Sequence, residues 1–244
     1  MTTVPRYGFA HRQVRALDFG HVVVLIDYRT GRVQCLLPAA ASRWHEAART
    51  GTTEPLGDTL ARQLFAATLL VPAPAPAPWP RPRAARTAAA SWGSAEHAAG
   101  TTRPHQMPAA AVLGAGAALA SVFAAKHAGS PARAMHRVTE AVRLAASTVR
   151  RDATPAEAHA AVAAIRRAAW YSPGRTACLE QSAAAVLLLA GRRRGITWCH
   201  GVAADPVRLH AWVQTGDGTA VSEPDSTAAY TPALTIGGRH QQQP

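Results

Sequence analysis

Cysteine is scarce in this 244-residue chain, and what there is of it excludes two common uses. Cys35, Cys178 and Cys199 are odd in number and far apart. They build neither a disulfide framework nor a zinc-ligand pattern. The expectation is a protein of a reducing, cytoplasmic compartment with no metal and no cofactor. Aromatic residues are also few, at 6%, while 48% of the chain is hydrophobic. Much of that fraction is alanine, so the reading is well-formed helices around thin cores. Acidic residues number 14 against 26 lysines and arginines, a formal charge of +12 in which lysine has almost no part. Such a chain attracts acidic partners. No helix-turn-helix, zinc or RNA-binding signature accompanies the charge, so no nucleic-acid partner is expected. Coding bias toward alanine and arginine explains the excess as solvated surface. Residues 1–22 lack the apolar core of a signal peptide. The one charge-free stretch, Met107 to Ala125, is mainly alanine and glycine. It would partition weakly into lipid and reads as a buried or partner-facing helix, with no membrane partner.

Three textures divide the chain into residues 1–71, 72–104 and 105–244. The first reads as a small α+β unit. His21 to Tyr28 (HVVVLIDY) and Arg32 to Leu37 (RVQCLL) are apolar strands flanking an Arg29-Thr30-Gly31 turn,. Helices over Ala39 to Thr50 and Leu56 to Leu70 follow. Val71 to Arg86 contains PAPAPAPWPRPR, which excludes helix and central strand and predicts an extended, semi-rigid spacer. From about residue 105 the pattern is helical. Thr154-Pro155-Ala156-Glu157 is a capping box with proline at the first helical position. That helix should end at Ser172-Pro173-Gly174, and a new one should run from about Thr176 to Gly191. Strands are expected over Ile196 to Ala203, Arg208 to Thr215 and Thr219 to Glu223, the last two joined at Asp217-Gly218. No internal repeat is present.

The chemistry concentrates in the last third. Cys178 falls in the first turn of a predicted helix, where unpaired N–H groups and the dipole favour thiolate over thiol. On position alone a small buried hydrophobe is the commoner fate of such a residue. His210, in the strand Leu209-His210-Ala211-Trp212-Val213, supplies a base if that strand packs beside the helix. A third group should orient the imidazole. A two-residue Asp217-Gly218 turn would set Asp225 opposite His210, whereas a loop over Thr215 to Gly218 would set Glu223 there. Cys199 and His200 lie on one strand, with one expected to point outward, and both read as structural. Arg192-Arg193-Arg194 reads as a solvated helix cap, and Trp212 as core.

Cys178-Leu179-Glu180-Gln181-Ser182, Leu187 to Ile196 (LLLAGRRRGI), Leu209 to Val213 (LHAWV), Ser222-Glu223-Pro224 and Tyr230 resemble the B2 leader peptidases of lasso peptide biosynthesis. These are a bacterial branch of the transglutaminase-like cysteine proteases. The resemblance covers about residues 164–234. It implies a papain-like protease domain with a Cys-His-Asp triad that removes the leader of a ribosomally made precursor. The position of the family's aspartate holds Glu223 here, with Asp225 as its rival. Gly20 to Leu37 followed by Ala39 to Trp44 is similar to the PqqD-like recognition elements, small winged-helix-like α/β units that capture leader peptides. A sheet this small leaves an edge to which an extended peptide can add as a strand. Val33, Gln34, Cys35, Leu36 and Leu37 are the candidate residues for that contact. The whole then resembles a fused B protein of fold class α+β: a recognition element over 1–71, a linker over 72–104 and a protease over 105–244. The resemblance implies two partners, the precursor leader and an asparagine-synthetase-like lasso cyclase. Two other functions fit the residues. Cysteine and histidine serve acyl transfer to an amine as well as hydrolysis, and the charge alone suits a non-enzymatic module for acidic peptide or nucleic acid.

Overall fold

The computed structural model describes residues 4–85, 107–204 and 206–238, and the chain divides into two compact units, Met1–Thr87 and Ala88–Pro244.

In the first unit, strands β2 (Val14–Asp18), β3 (Val23–Asp27) and β4 (Arg32–Leu36) form an antiparallel meander. The β3–β4 turn is closed by Gly31 at φ 75, a left-handed conformation that glycine adopts without steric cost. All five residues of β3 are buried. The buried Asp27 carboxylate is held by Arg29, Nε to Oδ1 at 2.9 Å. Helix α1 (Pro38–Thr50) buries Ala41, Trp44, Ala47 and Ala48 along one face. Helix α2 (Gly57–Ala66) is shorter than the expected Leu56 to Leu70. Thr68 turns left-handed at φ 56, and the N–H groups of Thr68 and Leu69 close on the carbonyls of Phe65 and Leu64. This is a Schellman ending with threonine where glycine usually stands. Leu70 then enters β5 (Leu70–Pro72), which pairs with β1 (Gly8–Ala10).

The proline-rich stretch corrects the expected spacer. It is extended, but it packs on the first unit. Trp79 is 5% exposed and meets Trp44 edge-on at 5.7 Å between ring centroids, and its backbone N–H donates to the Ala48 carbonyl. Ala77 lies where a side chain at Gly51 would be. Arg83–Ala84 (β6) pairs in parallel with β2, giving the sheet order β4-β3-β2-β6. Alternating prolines have few N–H donors, so the segment stays out of the ladder until Arg83, and the tryptophan anchors it. The rest of the expected linker, 86–104, lies outside the described residues. With β6 along one side of the meander, β4 is the other edge of the sheet and pairs, among the described residues, with β3 alone.

In the second unit, α3 (Ala109–His127), α4 (Ala134–Ser147), α5 (Pro155–Ala169) and α6 (Cys178–Ala190) pack on one another. The expected capping box starts α5: the Glu157 N–H donates to Thr154 Oγ1, and the Thr154 N–H donates to the Glu157 carboxylate. By length and composition α3 could cross a membrane. Here Ala115, Ala118, Leu119 and Val122 are buried against the other helices, and Leu113 is exposed. A short parallel pair, β7 (Arg151–Asp152) and β8 (Arg194–Gly195), ties the entrance of α5 to the exit of α6. The main sheet has β9 (Thr197–Ala204) at its centre, flanked by β10 (Val207–Gln214) and β11 (Thr231–Ile236), all antiparallel.

Two expectations fail in this sheet. Thr219 to Glu223 makes one bridge to β10, Gln214 to Ala220, and the third strand is β11. Pairing stops because Ser222 has φ 55 and Pro224 has no N–H to give. Cys199 and His200 are both buried, because a central strand is covered on both faces.

Candidate active site

Helix α6 opens at Cys178. Its N-cap, Ala177, has no side-chain acceptor, so Glu180 takes over part of the capping. The Glu180 carboxylate accepts the Ala177 N–H at 2.9 Å, and its other oxygen pairs with Lys126 of α3. Glu180 is 3% exposed. Burying a carboxylate is costly unless it is paired and hydrogen-bonded. On the sheet side, the Trp198 Nε1–H donates to Ser182 Oγ at 2.9 Å, one turn into α6. The start of α6 is thus pinned by α3 and β9 together.

The helix start lies beside the outer edge of β10. The N–H of Ala211 donates to the Cys178 sulfur, as do the His210 side chain and the Leu179 N–H. Strand alternation puts the N–H groups of Val207 and Leu209 on the same edge as that of Ala211, and both of their side chains are exposed. His210 Nε2 is 2.8 Å from Glu223 Oε2, which leaves Nδ1 for the thiol. The imidazole stacks on Trp212 at 5.7 Å and tilts against Tyr230 at 5.2 Å, so its plane is fixed by packing as well as by hydrogen bonds.

Glu223 answers the register question in a way that neither expected hairpin described. The Val221 N–H bonds the Val213 carbonyl, a register between the two considered. The chain then leaves the ladder at Ser222, and that departure turns Glu223 toward His210. Asp225 instead opens a short helical turn, Asp225–Ala229. The residues that surround Glu223 left no signal at the level of sequence. Arg166 of α5 meets Glu223 Oε1 at 3.0 Å through Nη2 and donates Nη1 to the Ser222 carbonyl at 2.8 Å. Thr227 Oγ1 lies 3.4 Å from Glu223 Oε2, and His159 Nδ1 is 2.8 Å from Ser222 Oγ. In a chain so rich in arginine, nothing in the local sequence distinguishes Arg166 from a solvated residue.

The electrostatics separate the three cysteines. Burial opposes ionisation of Cys178, but the His210 hydrogen bond, the Ala211 N–H and the His210 charge outweigh it, and the thiol pKa falls below its ordinary value. Burial likewise opposes charging of His210, yet the Cys178 and Glu223 bonds raise its pKa to about 9. Both shifts favour thiolate beside imidazolium. Cys199 is the opposite case. Burial pushes its pKa up to about 12, and its thiol donates to Gln214 Oε1 at 3.3 Å. His200 is pushed down to about 4 by burial and by the His210 charge, so it is neutral wherever His210 is charged near neutral pH. Cys35 lies on β4 in the first unit. Among the described residues no group of three or more His, Cys, Asp and Glu side chains could hold a metal ion.

No curated protein and no solved structure matches the chain. The family model described as the Transglutaminase-like superfamily matches residues 128–235, a span that begins near the end of α3 and ends in β11. That domain type accommodates cysteine protease and acyltransferase chemistry, both of which use a thiolate beside an imidazolium. Residues 128–235, which hold Cys178, His210 and Glu223, are therefore a transglutaminase-like superfamily domain.

Proposed function

We propose that the chain is a cysteine peptidase that binds and removes the leader of a ribosomally made lasso peptide precursor before macrolactam formation. The observation that carries the peptidase reading is the Cys178–His210–Glu223 chain of hydrogen bonds at the start of α6. Cys178 attacks the scissile carbonyl, and His210 protonates the leaving amine. A water deprotonated by His210 then releases the acyl group. Glu223 keeps the imidazole oriented with Nδ1 toward sulfur. The Cys178 N–H, in the first turn of α6 where intrahelical acceptors are missing, would serve as a donor for the oxyanion. The substrate reading rests on the resemblance of residues 164–234 and on the open β4 edge, where Val33, Gln34, Cys35, Leu36 and Leu37 would pair with the leader. Leu37, 70% exposed, offers an apolar contact beside that edge. An asparagine-synthetase-like cyclase in the same cytoplasm would consume the freed core peptide.

The test is cleavage of precursor peptide by Cys178→Ala, Cys35→Ala and Cys199→Ala variants, followed by mass spectrometry. Only Cys178→Ala should abolish product while circular dichroism stays unchanged. Equal loss in all three removes the assignment. A product mass that retains an added amine identifies acyl transfer instead of hydrolysis. Residues 1–87 alone should bind leader peptide by calorimetry, and a folded fragment without binding at high micromolar leader removes the recognition role and leaves the peptidase reading standing.

A further inference from the structure

We propose that Arg166 is a positioning residue for this site, holding Glu223 from α5 so that one carboxylate oxygen is presented to His210. The inference rests on the peptidase reading above and goes beyond it.

Apart from the long Thr227 Oγ1 contact at 3.4 Å, Glu223 has little else to aim it. It lies outside the sheet, after a residue at φ 55 and before a proline, and a glutamate side chain has three rotatable bonds. Arg166 removes that freedom with one fork. Nη2 takes Oε1 at 3.0 Å, and Nη1 takes the carbonyl of Ser222, the preceding residue, at 2.8 Å. Side chain and backbone are thereby fixed to each other and to α5. His159, two turns earlier on the same helix, bonds the Ser222 hydroxyl at 2.8 Å, so α5 grips the turn at two points. With Oε1 engaged, Oε2 is the oxygen at 2.8 Å from His210. Lysine cannot reproduce this geometry, because an ammonium is a point charge rather than a planar fork.

Charge and position make opposite predictions, which makes the proposal testable. As a charge alone, Arg166 draws on the carboxylate that attracts the imidazolium, and removing it would strengthen the hold of His210 on its proton. As a positioning group, its removal frees Glu223 to rotate away, and that hold weakens. The Arg166 side chain is 39% exposed, so solvent screens its charge, and the positional effect should win. The titratable and charged groups facing His210 and Glu223 are Cys178 on α6, Arg166 and His159 on α5, His200 on β9 and Tyr230 before β11.

The experiment uses the full chain carrying Cys35→Ala, with Arg166→Gln, Arg166→Lys and Glu223→Gln compared. His210 is titrated by NMR, and Cys178 alkylation by iodoacetamide is followed across the same pH range. Arg166→Gln should release the His210 proton at lower pH, in the same direction as Glu223→Gln. Its kcat on precursor should fall about tenfold with KM unchanged. Arg166→Lys should shift the same way but less, and it decides the question if the glutamine variant does not fold. Titration in both Arg166 variants at or above the wild-type pH, beside a downward shift in Glu223→Gln, overturns the positioning role alone. An unshifted Glu223→Gln removes the role of Glu223 and with it the proposal.

Discussion

Replacing Glu223 by glutamine tests the site most directly, because it keeps the shape of the side chain and removes its charge. Moving a histidine from 6.5 to about 9 corresponds to about 3 kcal/mol in favour of imidazolium. Two partners, Cys178 and Glu223, supply this against the opposing effect of burial. If they share it evenly, the carboxylate accounts for about 1.5 kcal/mol, or about tenfold in the protonation equilibrium. His210 should then release its proton about one pH unit lower in Glu223→Gln. The rate should fall further, because the amide can accept from Nε2 or donate to it and no longer enforces one tautomer. Loss of the orienting carboxylate costs about 10⁴ in the serine-protease template, and a fall of about 10²–10⁴ in kcat is expected here. The assay is kcat/KM for precursor cleavage between pH 5 and 10, with Asp225→Asn as the control expected to stay within a few-fold of wild type. An alkaline limb that stays in place in Glu223→Gln, or damage that follows Asp225 instead, refutes the reasoning.

Three further outcomes are expected. The folded state holds the His210 proton to about 9, whereas an unfolded histidine releases it near 6.5. This stabilisation is complete below about pH 6.5 and is lost as pH rises through about 9, so the Tm gap between wild type and Glu223→Gln should be widest at the acid end and close at the alkaline end; a gap that widens with pH contradicts the sign. Trp79→Ala should destabilise the first unit by about 3–5 kcal/mol, and truncation after residue 71 should do the same by uncovering Trp44; chemical denaturation of the 1–71 and 1–87 fragments compares them, and equal stability would mean that the proline stretch is a free spacer. Leu209→Asp places a charge on the open edge of β10 beside His210, and it should raise KM for an apolar peptide several-fold while leaving Cys178 alkylation unchanged; an unchanged KM means that substrate does not use that edge.

Local signals brought out Cys178 and His210, the proposed nucleophile and base. The proline and glycine break before Cys178, the capping box of α5 and the apolar alternation around His210 each act within a few residues, and the helices and strands formed where those signals stood. What stayed hidden depends on contacts between distant segments. The register beyond Asp217-Gly218 was ambiguous because turn chemistry limits only the first pairs, and the departure at Ser222 is stabilised by Arg166 and His159, 56 and 63 residues away. The proline stretch was misread because its backbone conformation is the same whether it is solvated or packed, and one tryptophan made the difference. Strands β1 and β2 went unnoticed because Gly8–Ala10 and Val14–Asp18 are short and carry arginine or glycine among few apolar residues.

The ion pair at the start of α6 has a practical consequence for anyone who labels or immobilises this protein. Lys126 is the only lysine in the chain, so amine-directed chemistry has that one side chain and the terminal amine as its targets. Acylating Lys126 would remove its charge and leave the Glu180 carboxylate, 4% exposed in its side chain, with the Ala177 N–H but without the cation. The uncompensated carboxylate sits two residues from Cys178, in the turn that presents the sulfur. A dye or resin attached through lysine would therefore reach the reactive centre through its support.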